Sequence, residues 1–262
     1  MKKVIDFLYA KIVDFLFPQF CITCDLVLDS LKEIALCENC ANKILSIPRQ
    51  NHICFRCGKI LTSPNFELLE KMKIQNLKMF CADCRYYKKY FLSSRHIYVY
   101  RDFIKKIILD YKYHNIKDYG ILISSKFIEY LKTPETDYSK IKFDYIINIP
   151  MHINKINQGR FDHINFICET LSEELKIPYI NNVLQKNVDT HQQAGLPRKE
   201  RLKNIKKSFV VNSEVNIDFN NKNLLLIDDV YSTGATVNEC SLTLKRKCRK
   251  ANIYILTFAR GE

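Results

Sequence analysis

Eight of the eleven cysteines form four pairs in which two residues separate the partners. The pairs are Cys21 and Cys24, Cys37 and Cys40, Cys54 and Cys57, and Cys81 and Cys84. Two cysteines at this spacing turn their thiolates towards one point, and two such pairs complete a tetrahedral four-sulfur shell for Zn²⁺. The four pairs therefore predict two structural zinc sites. Such closed shells leave no open coordination position, so the metal would support folding rather than catalysis.

Two alternatives apply to these pairs. Disulfides would also use paired cysteines, but they are rare in reducing compartments and the chain shows no secretion signal, so zinc is favoured. Pairing in sequence order closes shorter loops than the interleaved arrangement of a cross-brace, and we favour sequential pairing. Gly58, directly after Cys57, suits a turn that requires positive φ. The unpaired Cys168, Cys240 and Cys248 are expected to be ordinary buried residues.

A second group of chemically suited residues lies in the segment 224–236, which reads LLLIDDVYSTGAT. Here a hydrophobic run ends on two aspartates, and a hydroxyl-rich loop with one glycine follows. Loop N–H groups and a helix N-terminus can hold a phosphate, and adjacent carboxylates can accept hydrogen bonds from ribose hydroxyls, directly or through water bound to Mg²⁺. The predicted binding residues are Asp228, Asp229, Ser232, Thr233, Gly234, Ala235 and Thr236.

These residues need a scaffold, and the pattern after Cys84 predicts an α/β fold. Strands are predicted at residues 143–149, 179–184, 223–230 and 252–259, and helices at 161–175 and 235–247. Helices between consecutive strands require right-handed crossovers and a largely parallel sheet, whose ligands collect at the carboxyl ends of the strands. We expect a cysteine-rich domain in residues 1–90 and an α/β domain in residues 91–262.

The first seventeen residues have the pattern of an amphipathic helix that stops before Pro18. Its apolar stripe consists of Ile5, Leu8, Ile12, Phe15 and Leu16, and charged residues interrupt any signal-peptide core. This helix is expected to pack against the rest of the protein, with attachment to a membrane surface as the alternative. No run approaches the roughly 20 apolar residues of a membrane span, which predicts a cytoplasmic protein without a transmembrane segment.

The composition excludes a disordered chain, because 47% of the residues are hydrophobic. The net charge of +13 either serves a polyanionic partner such as nucleic acid or reflects the Lys, Ile and Asn bias of an AT-rich genome. Tyrosines and lysines alternate in residues 84–91 (CRYYKKYF) and 111–114 (YKYH). Such segments can stack nucleic-acid bases and neutralise phosphates, although tyrosines are also ordinary packing residues.

Residues 224–236 resemble the phosphoribosyl pyrophosphate (PRPP) signature of type I phosphoribosyltransferases, with Ser232 where Thr is commoner. Over nearly its whole length the chain resembles the ComF (competence protein F) family. The resemblance is carried by the CxxC-rich region and by residues 109–113 (LDYKY), 149–152 (IPMH) and 193–204 (QAGLPRKERLKN). It implies a phosphoribosyltransferase-like domain behind a double zinc ribbon. It also implies PRPP with Mg²⁺ as ligand, and single-stranded DNA and DNA-uptake machinery proteins as partners in natural transformation.

The resemblance also implies further contacts. Pro150, Met151 and His152 map to the loop that touches pyrophosphate, and Gln193, Leu196, Arg201 and Asn204 to a mobile loop that closes over PRPP. Arg198 and Arg201 either clamp pyrophosphate or are solvated loop charges.

The chain departs from the family at residues 159–163, where GRFDH replaces the usual R-G-F-N-Q. The contact of the usual arginine is therefore in doubt. Asp162 either caps the following helix or contacts the ligand.

Two functions follow from these patterns. One is an accessory of DNA uptake that binds PRPP and single-stranded DNA. The other is an active phosphoribosyltransferase in nucleotide salvage or a related pathway. No base-recognition hood is recognisable in the sequence, which favours the first, and no residue is assigned a catalytic role.

Overall fold

The computed structural model describes residues 18–28, 36–42, 53–61, 78–114, 116–151, 162–187, 205 and 207–261. Several sequence predictions lie outside these residues. They are the amphipathic helix of residues 1–17, His152, Gln193, Leu196, Arg198, Arg201 and Asn204.

The cysteine-rich region contains two short helices, α1 (Glu38–Asn42) and α2 (Ala82–Tyr86). The elements of the α/β part follow in chain order. They are β1 (Ser93–Val99), α3 (Asp102–His114), α4 (Lys117–Lys132), a 3₁₀ turn (Tyr138–Lys140), β2 (Tyr145–Asn148), α5 (His163–Leu175), β3 (Leu184–Lys186), β4 (Phe209–Val211), β5 (Asn223–Tyr231), α6 (Ala235–Lys247) and β6 (Asn252–Arg260).

The main sheet has the strand order β1-β6-β5-β2, and every neighbouring pair in it is parallel. Strand β5 is central and buried on both faces, which explains its continuous run of apolar residues. Leu225 and Ile227 pack in a core with α3, α4 and α5, whereas Leu224 and Leu226 pack in a second core with α6. The predicted fold class, a parallel sheet flanked by helices, is confirmed.

One predicted strand is wrong in extent. Instead of a strand over residues 179–184, Tyr179 makes a single parallel bridge to Ile146 of β2. The chain then turns at Asn182, whose φ of 57° cannot continue a strand. Leu184 begins β3, which pairs with β4 in a separate antiparallel sheet.

The two cysteine groups differ in what surrounds them. Cys21, Cys37 and Cys40 share a small core with Leu28 and Leu36, with Phe103 of α3 at its edge. Cys54, Cys57 and Cys81 instead belong to the same core as α6 and the face of the sheet beneath it. The second cysteine group is therefore built into the α/β core. The predicted burial of the three unpaired thiols, Cys168, Cys240 and Cys248, is confirmed.

Candidate functional site

The structure brings the cysteines together in sequence order. One group consists of Cys21, Cys24, Cys37 and Cys40, and the other of Cys54, Cys57, Cys81 and Cys84; within each, the sulfur atoms lie within 4.8 Å of one another. A tetrahedral site with Zn–S bonds of about 2.3 Å places its sulfurs roughly 3.8 Å apart. The contacts Cys24–Cys37 and Cys57–Cys81 measure 3.7 and 3.6 Å. Both groups therefore fit a structural zinc ion, and sequential pairing is confirmed.

The turns that follow the first cysteine pair of each group share one geometry. Gly58 has φ +66° and its N–H donates to the carbonyl of Cys54, 2.8 Å away. Asp25 occupies the equivalent position after Cys24 with φ 58°, and it donates to the carbonyl of Cys21 at 2.9 Å. An aspartate tolerates this left-handed backbone better than most residues, so both turns form although only one contains glycine.

The first cysteine group also contains donors that favour thiolates. The N–H of Cys37 points at Cys21 Sγ, 3.4 Å away. Burial opposes ionisation of Cys21, but this and neighbouring backbone N–H groups lower its pKa to about 6. A thiolate is the form that binds zinc, so the backbone prepares the site for a metal.

The predicted phosphate loop, residues 232–236, joins the end of β5 to the start of α6. Gly234 is the N-cap residue of α6 and has φ +75°, a conformation that L side chains rarely adopt. Thr233 Oγ1 accepts a hydrogen bond from the N–H of Ala235 at 3.3 Å. The loop thus places backbone N–H groups and hydroxyls at a helix N-terminus, the arrangement that binds phosphate.

The two aspartates at the end of β5 differ in their surroundings. Asp229 is buried between Lys112 of α3, whose Nζ lies 2.5 Å from its Oδ2, and His163 of α5, whose Nε2 lies 2.7 Å from the same oxygen. Burial opposes ionisation of Asp229, but the Lys112 ammonium and the His163 hydrogen bond outweigh it and lower the pKa of this carboxyl. Asp229 is therefore a charge already neutralised within the protein.

Asp228 lies beside this pair and is only half-buried. Burial, and then the charge of Asp229, raise the pKa of Asp228 above its usual value, although Lys112 opposes this shift. One carboxylate oxygen of Asp228 accepts a hydrogen bond from the backbone N–H of Asp229 at 2.9 Å. Of the two aspartates, Asp228 is thus the more exposed, and ligand binding by either stays a prediction.

Lys112 and His163 were not assigned to the site from the sequence, although both lie in segments that carry or break the family resemblance. Lys112 is the lysine of LDYKY, and His163 is the last residue of GRFDH. The adjacent Asp162 is the N-cap of α5, and its side chain accepts hydrogen bonds from the N–H groups of Ile164 and Asn165 at 3.2 and 3.1 Å. The capping role of Asp162 is therefore confirmed.

Pro150 and Met151 follow β2 at the same edge of the sheet as Asp228. Asn148, the last residue of β2, pairs with Ile227, and the N–H of Ile149 donates to the carbonyl of Ile227 at 3.0 Å. Since β2 and β5 are parallel, both strands deliver their following loops to one side. Ligands of parallel sheets collect at this edge, and contact of Pro150 and Met151 with a ligand stays a prediction.

The tyrosine-rich segment of residues 86–90 lies on the first turns of α6. The N–H of Tyr90 donates to Asn238 Oδ1 at 2.9 Å, and the N–H of Asn238 donates to the carbonyl of Gly234 at 3.0 Å. Tyr86 is 83% exposed and Tyr87 is 64% exposed, so neither packs as a core residue. The segment is anchored at one end and presents two aromatic rings to solvent.

Comparison with known proteins adds the following likenesses. Residues 12–85 match the family model of the double zinc ribbon domain. The chain is 26% identical over 221 residues to competence protein F of Haemophilus influenzae, covering 80% of this chain and 84% of that protein. It is 23% identical over 235 residues to competence protein ComFC of Bacillus subtilis, covering 86% and 84%. Adenine phosphoribosyltransferase from Saccharomyces cerevisiae aligns at 17% identity over 58% of this chain and 72% of that chain, with a TM-score of 0.33.

The zinc ribbon expected in the cysteine-rich region and the resemblance to competence proteins are thus confirmed. Among the helices that the structure describes, none has the length and apolar character needed to cross a membrane.

Proposed function

We propose that this ComF-like protein binds PRPP at the carboxyl edge of its parallel sheet and acts in DNA uptake as a single-stranded DNA-binding accessory. The observation that carries the PRPP assignment is the loop of residues 232–236, which joins β5, the strand that contains Asp228, to the start of α6. The relatives named as competence proteins, matched over at least four fifths of this chain, support the role in DNA uptake.

In this proposal each part of PRPP has its own contacts. The N–H groups and hydroxyls of residues 232–236 hold the 5-phosphate, with the positive end of the α6 dipole behind them. Asp228 accepts the ribose hydroxyls, directly or through Mg²⁺-bound water. Pro150, Met151 and His152 approach the pyrophosphate, and Arg198 and Arg201 clamp it.

In this proposal the two aspartates, both predicted from the sequence to bind PRPP, have different tasks. Asp229 is already engaged by Lys112 and His163, so its task is to hold α3, α5 and β5 together beneath the ligand. Asp228 is half-buried, and Mg²⁺ bound by it would favour its ionised form. Mg²⁺ supplies neutralisation of the pyrophosphate charge when it is bound.

Single-stranded DNA is assigned to the segment of residues 86–90. Tyr86 and Tyr87 are exposed and can stack bases, while Lys88 and Lys89 neutralise phosphates. The net charge of +13 attracts the polyanion from a distance. Proteins of the DNA-uptake machinery are proposed as further partners, and the cytoplasm as the compartment, where the eight paired thiols stay reduced and available to zinc.

Calorimetric titration with PRPP in the presence of Mg²⁺ tests the ligand assignment. We expect binding by the wild-type protein and at least tenfold weaker binding by Asp228→Asn, since the amide cannot replace a charged acceptor near Mg²⁺. Asp218→Asn is the matched control, because Asp218 lies in the loop before β5 and should leave the affinity unchanged. No binding by wild type would refute the proposal, and consumption of PRPP on adding a nucleobase would instead identify an active phosphoribosyltransferase.

A further inference from the structure

The second cysteine group is joined to the sheet through backbone carbonyls of its first turn, those of Phe55, Arg56 and Cys57. The oxygen of Cys57 lies 2.7 Å from Arg260 Nη1 and 2.8 Å from His96 Nε2. Arg260 is the last residue of β6, and His96 lies in β1. The next residue, Gly58, is so close to β1 that an added Cβ would lie 2.6 Å from the carbonyl oxygen of Ser94. The backbone of this cysteine turn therefore rests directly on two strands.

From Arg260 the contacts continue to the phosphate loop. The guanidinium carbon of Arg260 lies 4.5 Å from the centre of the Tyr231 ring, and the His96 ring lies 4.8 Å from the same ring. Tyr231 is the last residue of β5 and is only 2% exposed. Its ring and hydroxyl occupy the space where a Cβ on Gly234 would project. A continuous set of contacts thus runs from Cys57 through Arg260 and Tyr231 to Gly234.

The first cysteine group contacts helices instead of strands β1 and β6. Its backbone carbonyls are contacted by α3 and α4, where Lys106 Nζ donates to Thr23 O at 3.3 Å and the Tyr119 hydroxyl donates to Ile22 O at 2.6 Å. Neither helix directly precedes or follows the phosphate loop in the chain. The two groups therefore contact the α/β part of the chain through different elements.

We propose that Tyr231 and Arg260 are positioning residues, which hold the phosphate loop in the conformation set by the second cysteine group. This proposal rests on the proposed PRPP site. A phosphate cradle made of backbone N–H groups works only if those groups already point at one place, because ordering them on binding costs affinity. Gly234 has a left-handed backbone conformation and no side chain whose packing could fix it. The Tyr231 ring packs against Gly234 and limits its movement. The second zinc ribbon thereby supports binding as well as folding.

The test uses the full-length, zinc-loaded protein with Arg260→Met, and Lys106→Met as its matched control. Both substitutions remove a cation that donates to a carbonyl of a cysteine turn, but only Arg260 touches Tyr231. We expect about tenfold weaker PRPP binding for Arg260→Met, with both zinc ions retained and hydrogen exchange accelerated in residues 232–236. Lys106→Met should match wild type in both measurements. Arg260→Lys keeps the charge but loses the planar group that stacks on Tyr231. The PRPP affinity of this variant should therefore lie between those of wild type and Arg260→Met.

Two results would overturn the proposal. One is an Arg260→Met protein with unchanged affinity and unchanged loop exchange. The other is faster exchange spread evenly over β1, β6 and the loop, which would show general destabilisation. If Arg260→Met does not fold, Tyr231→Leu answers the same question without touching the Cys57 contacts. If wild type binds no PRPP, the proposed function fails, but the loop exchange still decides whether Tyr231 and Arg260 position the loop.

Discussion

Replacing Lys112 with Met removes the cation that neutralises Asp229 while keeping most of the length of the side chain. The side chains of Lys112 and Asp229 are 27% and 12% exposed. Breaking a fully buried pair costs about 3–5 kcal/mol, and breaking an exposed pair costs about 0–1 kcal/mol. Because solvent reaches Lys112 and because His163 still hydrogen-bonds to Asp229, we expect a loss of about 2 kcal/mol in the free energy of unfolding.

Urea unfolding at pH 7 measures this loss, and Lys106→Met is again the control. Lys106 pairs with Asp110 at 3.8 Å and its side chain is 52% exposed, so its removal should cost less than about 0.5 kcal/mol. In the double variant Lys112→Met, Asp229→Asn, a neutral amide replaces the buried carboxylate, so no unpaired charge is left in the core. The two single losses should therefore fail to add by about 1 kcal/mol or more.

The pH dependence follows from the directions of the two pKa shifts. Because the pKa of Asp229 is lowered in the folded protein, its contribution to the free energy of unfolding is present above its unfolded pKa, about 3.9. That contribution is lost as the pH falls through its folded pKa. Burial lowers the pKa of Lys112, but Asp229 outweighs it and raises that pKa. The contribution of Lys112 to the free energy of unfolding is therefore present below its unfolded pKa, about 10.4, and is lost as the pH rises through its folded pKa. These two shifts alone predict a constant loss for Lys112→Met from pH 6 to 8. Burial and Asp229 raise the pKa of Asp228 to about 8 while Lys112 opposes this shift, so the loss should increase as the pH rises through that value. A loss no larger than that of Lys106→Met, or additive single variants, would refute the reasoning.

Three further predictions concern the loop, the metal and DNA. Gly234→Val should reduce PRPP binding more than tenfold, because its side chain would meet the Tyr231 ring and resist positive φ; calorimetry showing wild-type affinity would place the phosphate elsewhere. Metal analysis of protein purified without chelator should find two zinc ions per chain, and a content near zero with oxidised thiols would contradict the two sites. Single-stranded DNA affinity should fall with salt with a log–log slope of about −0.7 per phosphate contacted. The double substitution Lys88→Ala, Lys89→Ala should flatten that slope, whereas Tyr86→Ala should weaken binding even at high salt. A DNA affinity that none of the three substitutions changes would show that this segment is not part of the interface.

Features confined to short segments could be predicted from the sequence because their chemistry is local. A CxxC pair converges on one metal whatever surrounds it, and sequential pairing follows from the cost of closing loops. The strand before Asp228 and the helix after Gly234 are specified by a buried apolar run and a helical period, and α6 has the predicted bounds, Ala235–Lys247. The parallel sheet follows from the alternation of strands and helices.

Strand β1 shows what hydrophobic patterning does not reveal. Its sequence, SSRHIYV, begins with four consecutive buried polar residues, Ser93 to His96, where an apolar run would be expected. Arg95 is buried because it pairs with Asp137, and His96 because it contacts Cys57 and Thr257. Burial of these polar side chains depends on partners from distant segments of the chain. A local sequence pattern therefore does not predict β1.

The environment of the candidate site was decided in the same way by tertiary contacts. The sequence by itself determined that two adjacent carboxylates precede a loop predicted to bind phosphate, but it did not distinguish the roles of the two carboxylates. Only the fold places Lys112 and His163 on Asp229, with His163 66 residues away in the chain, and leaves Asp228 open. Likewise only the fold brings Cys57 to Arg260 across 203 residues. The charge state of a group depends on which neighbours reach it in space, and sequence spacing does not contain that information.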